Sequence, residues 1–177
     1  MKLIVVYFHG YGSSPASDKV NVLRERLKVP VHAFPQDIDL DVATPLIMHN
    51  IDMVLADKQH GESNVLFVGT SLGGWMASEM GAMYRIPAIV INPSCDPATS
   101  LSKYGVPQHI RSKYDRIKFS PNNTYFFAAN DEVIDNSNVV TDLLRWKYDV
   151  HVDFEGDHRF NGRPFDRVID TIKQKYL

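Results

Sequence analysis

The stretch 65–74 restricts the fold of this chain more than any other part of it. An apolar run over 65–68 is followed by Gly69-Thr70-Ser71-Leu72-Gly73, and a helix-forming segment comes next. Where a strand turns sharply into a helix, side chains two positions before and after the turning residue would collide, so glycine is needed at both places. A serine that only caps the following helix does not need both glycines. The spacing therefore predicts a strand, a sharp turn that exposes the Ser71 hydroxyl above a sheet, and a helix.

The rest of the chain alternates between apolar runs and helical patterns. Most of the runs are continuously apolar, which is typical of parallel strands buried on both faces. Thr44-Pro45 is predicted to begin the second helix, as a cap followed by a first-turn proline. The last strand alternates apolar and polar residues, which predicts a place near a sheet edge. Strands are predicted over 3–8, 31–34, 65–68, 88–91, 124–129 and 149–154, and helices over 17–28, 45–58, 72–85, 136–147 and 164–176.

This order of elements predicts an α/β fold with three layers, in which helices cover both faces of a doubly wound, mostly parallel sheet. The 177 residues suit one domain, 1–177, because a domain of that size buries roughly 70% of the surface that its unfolded chain exposes. The segment of about 93–121 carries Pro93, Pro97, Pro107 and Pro121 without a clear periodicity. A connection of that length usually carries function, so we predict that it forms a short substrate-binding cap.

Composition argues against several classes of partner. The 19 Lys and Arg residues nearly balance the 21 Asp and Glu residues, so neither nucleic acid nor an anionic membrane surface is expected to bind. Cys95 is the single cysteine, so it cannot form a disulfide within the chain. No apolar stretch approaches the roughly 20 residues that span a bilayer. The apolar run over 3–8 is too short for a signal-peptide core, so a cytoplasmic location is expected. The sequence leaves the oligomeric state open.

Neither a metal nor a cofactor is expected. The histidines and acidic residues lack a recurrent ligand spacing, and the glycines near residue 10 lack the spacing of a dinucleotide- or phosphate-binding loop.

A serine hydroxyl becomes a useful nucleophile when an imidazole takes its proton and an acid orients that imidazole. After a strand-turn-helix serine, the partners usually follow in the order acid, then histidine. Asp131 follows the predicted strand 124–129, and His158 follows the predicted strand 149–154. The candidate catalytic residues are therefore Ser71, Asp131 and His158. Asp96 is a second candidate for the acid, because it follows the strand after the Ser71 turn.

An oxyanion needs two backbone N–H groups, one from the residue after the nucleophile and one from a loop after an early strand. Leu72 is the candidate for the first group and Tyr11, in a loop with two glycines, for the second. Aromatic side chains at Tyr11, Trp75, Tyr104 and Phe160 are candidates for binding substrate, with ordinary packing as the alternative for each.

Four blocks in the chain resemble the α/β-hydrolase superfamily and, within it, the small lidless bacterial esterases of the YqiA-like type. The resemblance covers nearly the whole chain. It implies a doubly wound sheet, an ester or thioester substrate, no cofactor, and Ser71, Asp131 and His158 as a catalytic triad. The blocks are His9-Gly10-Tyr11 with Ser13-Ser14-Pro15, then 69–74, Asp131-Glu132-Val133-Ile134-Asp135, and Gly156-Asp157-His158-Arg159-Phe160.

The sequence thus predicts a serine hydrolase for carboxylic esters or thioesters that works through an acyl-enzyme on Ser71. Two alternatives stay open, because a fold and a triad do not determine the acyl acceptor. One is an acyltransferase or peptidase with the same residues, and the other is a non-catalytic binding protein on a hydrolase fold.

Overall fold

Six parallel strands form one sheet in this structure, a computed structural model that describes residues 2–57 and 64–177. The strand order is β2-β1-β3-β4-β5-β6, and every neighbouring pair is parallel. The predicted edge position of the last strand is confirmed. The strands are β1 Leu3–Phe8, β2 Val31–Ala33, β3 Asn64–Thr70, β4 Ala88–Ile91, β5 Thr124–Ala128 and β6 Asp149–Asp153.

Helices cover both faces of this sheet, so the predicted three-layer α/β fold is confirmed. Successive side chains of a strand point to opposite faces. In β1, Ile4, Val6 and Phe8 pack into one core and the residues between them into the other. The long helices are α1 Asp18–Leu27, α2 Leu40–Ala56, α3 Leu72–Tyr84, α6 Ser137–Arg145 and α7 Arg163–Tyr176, and the short helices are α4 Pro97–Ser100 and α5 Gln108–Arg111.

The predicted start of the second helix is wrong. Helix α2 begins at Leu40, and the Asp39 side chain caps it by accepting the N–H of Asp41 at 3.1 Å. Ala43 is fully buried one turn before Ile47, so the apolar face of the helix extends upstream of Pro45. The Asp39 cap and the burial of Ala43 stabilise the helix by more than Pro45 destabilises it through the one backbone hydrogen bond that it removes. The predicted last residue of this helix, Lys58, lies outside the described residues.

The connection between β4 and β5 is built from short helical pieces. Helix α4, a 3₁₀ turn over Leu101–Tyr104 and helix α5 follow one another along it. The Ile117 N–H donates to the Cys95 carbonyl at 2.9 Å, which ties the end of the connection to its beginning. The connection therefore returns to the carboxyl end of β4, where it started.

Strands β1 and β3 are neighbours at the point where the strand order changes direction. In open α/β sheets, ligands bind in the crevice outside the carboxyl ends of the strands at such a point. The loops that follow β1 and β3 begin at this crevice. No helix of the described ranges 2–57 and 64–177 is long and apolar enough to cross a membrane.

Candidate active site

Ser71 stands on a strained turn between β3 and α3. Its φ of 55° and ψ of −121° lie in a region that residues other than glycine rarely adopt, at a cost of roughly 1–3 kcal/mol. Four backbone hydrogen bonds hold the turn. The Ser71 N–H donates to the Ile91 carbonyl at 2.9 Å, and the Ser71 carbonyl accepts the N–H groups of Gly74 at 2.9 Å, Trp75 at 3.2 Å and Ser94 at 3.0 Å.

The glycines on either side of Ser71 are required by close backbone contacts. A Cβ at Gly69 would lie 2.0 Å from the Gly73 carbonyl oxygen, and a Cβ at Gly73 would lie 2.1 Å from the Phe8 carbonyl oxygen. Gly10, in the loop after β1, also approaches the turn, since a Cβ there would lie 3.3 Å from the Ser71 Cβ. The predicted sharp strand-to-helix turn is confirmed, and Gly10 brings the first loop against it.

A chain of hydrogen bonds connects Asp131, His158 and Ser71. His158 Nε2 lies 3.0 Å from Ser71 Oγ, and His158 Nδ1 lies 2.9 Å and 2.8 Å from the two carboxylate oxygens of Asp131. Both partners are largely shielded, with side chains 14% exposed for His158 and 5% for Asp131. In this arrangement Nδ1–H donates a hydrogen bond to the carboxylate, which leaves the Nε2 lone pair directed at the serine hydroxyl.

Two acidic side chains after β5, Asp131 and Glu132, hold His158 in place. Asp131 Oδ1 also accepts the N–H groups of Val133 at 2.9 Å and Ile134 at 2.8 Å, so the carboxylate cannot rotate freely. Glu132 Oε2 accepts the backbone N–H of His158 at 3.0 Å. Neighbouring residues of one loop therefore hold both the ring and the backbone of His158.

Asn92, at the end of β4, ties the His158 loop to the sheet. Its side chain is buried, and its Nδ2 donates to the carbonyls of Asp157 at 3.0 Å and His158 at 3.1 Å. Its Oδ1 accepts the N–H of Ala128 at 2.7 Å. The φ of 40° turns the side chain into this position, and asparagine tolerates that conformation better than most residues do. Sequence reasoning missed Asn92, and the only available signal was a polar residue directly after a buried apolar strand.

A cavity of about 540 Å³ opens above Ser71. Ser71, Leu72, His158 and Tyr11 all line it, so the two candidate oxyanion residues lie beside the candidate nucleophile. Tyr104 also lines the cavity, and its ring centre lies 5.0 Å from that of Tyr11. Charged side chains that sequence reasoning did not assign to the site line it as well: Asp18, Lys19, Lys103, Glu132 and Arg159.

Two aromatic candidates for substrate binding lie elsewhere in the structure. Trp75 is buried beneath the β4–β5 connection, where its indole N–H donates to the Asp115 carbonyl at 2.9 Å and its ring packs on Tyr114. Phe160 is fully buried and packs edge-on against Phe126. Neither Trp75 nor Phe160 lines the cavity. Each ring packs against apolar neighbours on its own side of the sheet, which is the ordinary packing that the sequence left open as the alternative to substrate binding.

Asp96, the second candidate for the acid, is engaged away from His158. Its carboxylate caps α4 by accepting the Thr99 N–H at 3.1 Å and lies 3.3 Å from the guanidinium of Arg116. The neighbouring Cys95 is partly buried, and burial raises the pKa of its thiol to about 12. Within the described ranges 2–57 and 64–177, no group of three or more His, Cys, Asp or Glu side chains could hold a metal ion.

Comparisons with solved structures identify the fold. Est1E from Butyrivibrio proteoclasticus superposes with a TM-score of 0.71 at 13% identity, covering 98% of this chain and 86% of Est1E. An esterase from Pyrococcus furiosus gives 0.69 at 14% identity, covering 98% and 82%. Mouse alpha/beta hydrolase domain-containing protein 10 gives 0.66 at 17%, covering 97% and 88%. Identities this low show the fold alone, and that fold is the α/β-hydrolase fold.

Sequence comparisons identify the family. A UPF0227 protein from Serratia proteamaculans is 24% identical in an alignment 192 residues long, and this alignment covers 96% of this chain and 98% of that protein. A UPF0227 protein from Shewanella woodyi is 26% identical in an alignment 176 residues long, which covers 89% of this chain and 91% of that protein. The model of the family described as "Uncharacterised protein family (UPF0227)" matches residues 4–115. The chain therefore belongs to the UPF0227 family, and its architecture is that of the α/β-hydrolase superfamily.

Proposed function

We propose that this protein is a serine hydrolase that cleaves carboxylic esters or thioesters through an acyl-enzyme on Ser71. The observation that carries the proposal is the hydrogen-bond chain from Asp131 through His158 to Ser71, which stands on a strained turn at the floor of a cavity. A serine nucleophile needs an adjacent base that a third group orients, and strained backbone is common at functional sites, whereas a helix cap requires neither.

In the first half of the reaction, Ser71 Oγ attacks the acyl carbonyl carbon while His158 Nε2 takes the hydroxyl proton. The carbonyl oxygen becomes an oxyanion, and the backbone N–H groups of Tyr11 and Leu72 are its proposed donors. Collapse of this intermediate breaks the bond to the alcohol or thiol, which leaves with the proton from His158. In the second half, water takes the place of the alcohol, and His158 returns the proton to Ser71 as the acid departs.

Asp131 acts on His158 and not on the substrate. Its carboxylate holds the imidazole in the tautomer that has the proton on Nδ1, and it stabilises the imidazolium that forms during attack. The hydrogen bonds from Val133 and Ile134 keep the carboxylate in the orientation that this role needs.

The connection over 93–121 is proposed to act as a short cap within a single hydrolase domain. Ser100, Leu101, Lys103 and Tyr104 from this connection line the cavity, which supports a role in substrate binding. A cavity of about 540 Å³ lies within the usual range of small-molecule sites. We expect short acyl groups to be preferred, and a strong preference for long acyl chains would contradict this part of the proposal.

Labelling with a fluorophosphonate tests the proposed function directly. The probe phosphonylates an activated serine and expels fluoride, so intact-mass analysis and peptide mapping should show a single adduct on Ser71. Ser71→Ala and His158→Ala should both lose the adduct. Ser102→Ala is the matched control, because Ser102 is exposed and outside the cavity lining, and it should be labelled like the wild type.

A folded wild-type protein without an adduct would contradict the proposal. In that case the non-catalytic alternative is the better account of the fold. If labelling occurs, hydrolysis of 4-nitrophenyl acetate with and without an added alcohol or amine decides between water and another acyl acceptor. We expect free acid as the main product, and transfer to the additive as the main product would favour an acyltransferase.

A further inference from the structure

A second hollow, between α1 and α7, lies beside the cavity above Ser71. The second hollow has a volume of about 350 Å³. Asp18, Lys19 and Asn161 line both spaces, so the two hollows adjoin at these residues, and together they are called the groove. The groove extends away from Ser71 on the side of the loop that carries His158.

Lys19 stands where the two spaces meet. It is partly buried, its Nζ donates to Asn161 Oδ1 at 2.7 Å, and Nζ lies 5.5 Å from the centre of the Phe165 ring. Desolvation lowers the pKa of this ammonium, and the nearby Asp157 carboxylate acts in the opposite direction. An ammonium has three donors, and the hydrogen bond to Asn161 uses one of them.

Among the described residues 2–57 and 64–177, no carboxylate oxygen lies within 4.0 Å of the Lys19 ammonium. The hydrogen bond to Asn161 and the Asp157 and Asp18 carboxylates offset the desolvation of Lys19 only in part, because desolvation has the largest effect on its pKa and the net shift is downward. An anion beside Nζ would offset more of this cost. Lys19 therefore has the environment of a ligand-binding cation.

Other charges on this side of the groove add to the positive potential. Arg159 is exposed, lines the cavity, and is close enough to lower the pKa of Lys19. The amino-terminal end of α1, which carries partial positive charge, lines the same wall through 17–19. Three carboxylates oppose these charges: Asp18 and Glu132 line the cavity, and Asp157 lies close enough to raise the pKa of Lys19. At the far end, Arg26 and Asp166 pair with each other at 2.7 Å.

The chemistry of His158 indicates which part of the substrate meets this surface. His158 Nε2 must hand its proton to the departing oxygen or sulfur, so the alcohol or thiol lies on the histidine side of the scissile bond. Arg159 and Asn161 belong to the same loop as His158. Resting on the proposed function, we propose that Lys19 and Arg159 form a subsite for an anionic group, a carboxylate or a phosphate, on the alcohol or thiol part of the substrate.

Two matched esters test the subsite. One is the acetyl ester of 3-hydroxybenzoate, whose leaving group carries a carboxylate, and the other is the acetyl ester of methyl 3-hydroxybenzoate, which is neutral and has nearly the same shape. Lys19→Met should lower kcat/KM for the anionic ester by about tenfold or more, as expected for the loss of a charge-assisted hydrogen bond. The neutral ester should be little affected, and Lys19→Arg should restore much of the difference.

Lys173→Met is the control variant. Lys173 is an exposed lysine of α7 outside both hollows, so this variant should treat both esters as the wild type does. Equal losses of kcat/KM on the two esters in Lys19→Met would assign Lys19 a structural role and overturn the subsite. An unchanged kcat/KM for the anionic ester in that variant would overturn it as well.

A binding measurement separates failure of the subsite from failure of the proposed function. Inorganic phosphate and 3-hydroxybenzoate are titrated into Ser71→Ala, with or without Lys19→Met, and followed by NMR. We expect saturable shifts at residues of the groove that weaken at least about tenfold when Lys19 is replaced. Phosphate binding alone, or carboxylate binding alone, would decide which anion the subsite takes. No saturable binding of either anion would overturn the subsite even where fluorophosphonate labelling upholds the nucleophile.

Discussion

Replacing Asn92 tests whether the His158 loop depends on a single buried side chain. Asn92→Ala leaves the buried Ala128 N–H without its acceptor, which costs about 1–3 kcal/mol. It also removes two hydrogen bonds to the loop, at about 1 kcal/mol net in all because those carbonyls can reach water. Alanine at a φ of 40° adds about 1 kcal/mol. We expect the free energy of unfolding to fall by about 3–5 kcal/mol, less than the stability of a typical domain.

Asn92→Asp separates the loop anchor from general stability. Aspartate keeps the acceptor for the Ala128 N–H but loses both donors, and it places an oxygen against the carbonyls of Asp157 and His158. The hydrolysis rate of the folded fraction should fall by about tenfold or more, because a displacement of about 1 Å at a catalytic group can cost a hundredfold. The assay combines urea denaturation with steady-state hydrolysis of 4-nitrophenyl acetate.

Asn123 offers a matched control at the opposite end of the sheet. It is buried like Asn92, and its Oδ1 accepts the N–H of Ala88, in β4, at 3.0 Å. Asn123→Ala should therefore lose about 1–3 kcal/mol of stability while the folded fraction keeps its hydrolysis rate. The reasoning is refuted if Asn92→Asp hydrolyses the ester at the wild-type rate, or if Asn92→Ala and Asn123→Ala reduce the rate equally.

Four further predictions concern other parts of the structure. Asp131→Asn should lower kcat by about 10³–10⁴-fold, while Asp96→Asn should leave it unchanged; the reverse would make Asp96 the acid. Gly73→Ala should be recovered as a much less stable protein in thermal denaturation, because its Cβ would lie 2.1 Å from the Phe8 carbonyl oxygen. Cys95 should react slowly with iodoacetamide at pH 8, because burial raises the pKa of its thiol to about 12; rapid alkylation of the folded protein would contradict that environment. Asp149 is partly desolvated, but hydrogen bonds from Lys175 and Thr124 lower its pKa overall. Its contribution to stability is therefore present above the unfolded pKa of about 4. This contribution is lost as the pH falls through the lower pKa of the folded state. Lys175→Met should therefore cost less than about 1 kcal/mol at pH 7 in urea denaturation, and a difference from wild type that persists at pH 2 would argue against this pairing.

The features that sequence reasoning found are those in which local chemistry and fold agree. The turn at Ser71 could be predicted because glycines two residues before and two residues after the serine mark it in the sequence. In the structure Gly69 meets Gly73 within the turn, and Gly73 meets Phe8 at the end of β1. Parallel strands could be predicted because burial on both faces demands continuous apolar runs. The positions of Asp131 and His158 followed from the rule that the site lies at the carboxyl ends of strands.

What sequence reasoning missed depends on contacts between distant parts of the chain. Nothing in the neighbourhood of Trp75 shows that its indole will meet the carbonyl of Asp115. The start of α2 was placed too late because a proline is a strong local signal, whereas burial of Ala43 is a property of the assembled core. Lys19 was overlooked because its significance depends on Asn161 and Phe165, which lie in the last part of the chain.

The strand order explains why a residue such as Asn92 is needed. Ser71 follows β3 and His158 follows β6, which is three strands away in the sheet, or roughly 14 Å at the usual spacing of about 4.8 Å between strands. The loop after β6 must therefore reach back across the ends of β5 and β4 to bring the imidazole to the serine. Asn92 stands at the end of β4, one strand from β3 along this path, and binds the backbone of the loop at Asp157 and His158. Asp131 and Glu132 follow β5, which lies between β4 and β6, and they hold the same histidine. The strand ends along the path thus contribute several contacts to the loop. Loss of the Asn92 side chain should therefore impair the reach of the loop as well as the stability of the sheet, which loses the acceptor of the Ala128 N–H.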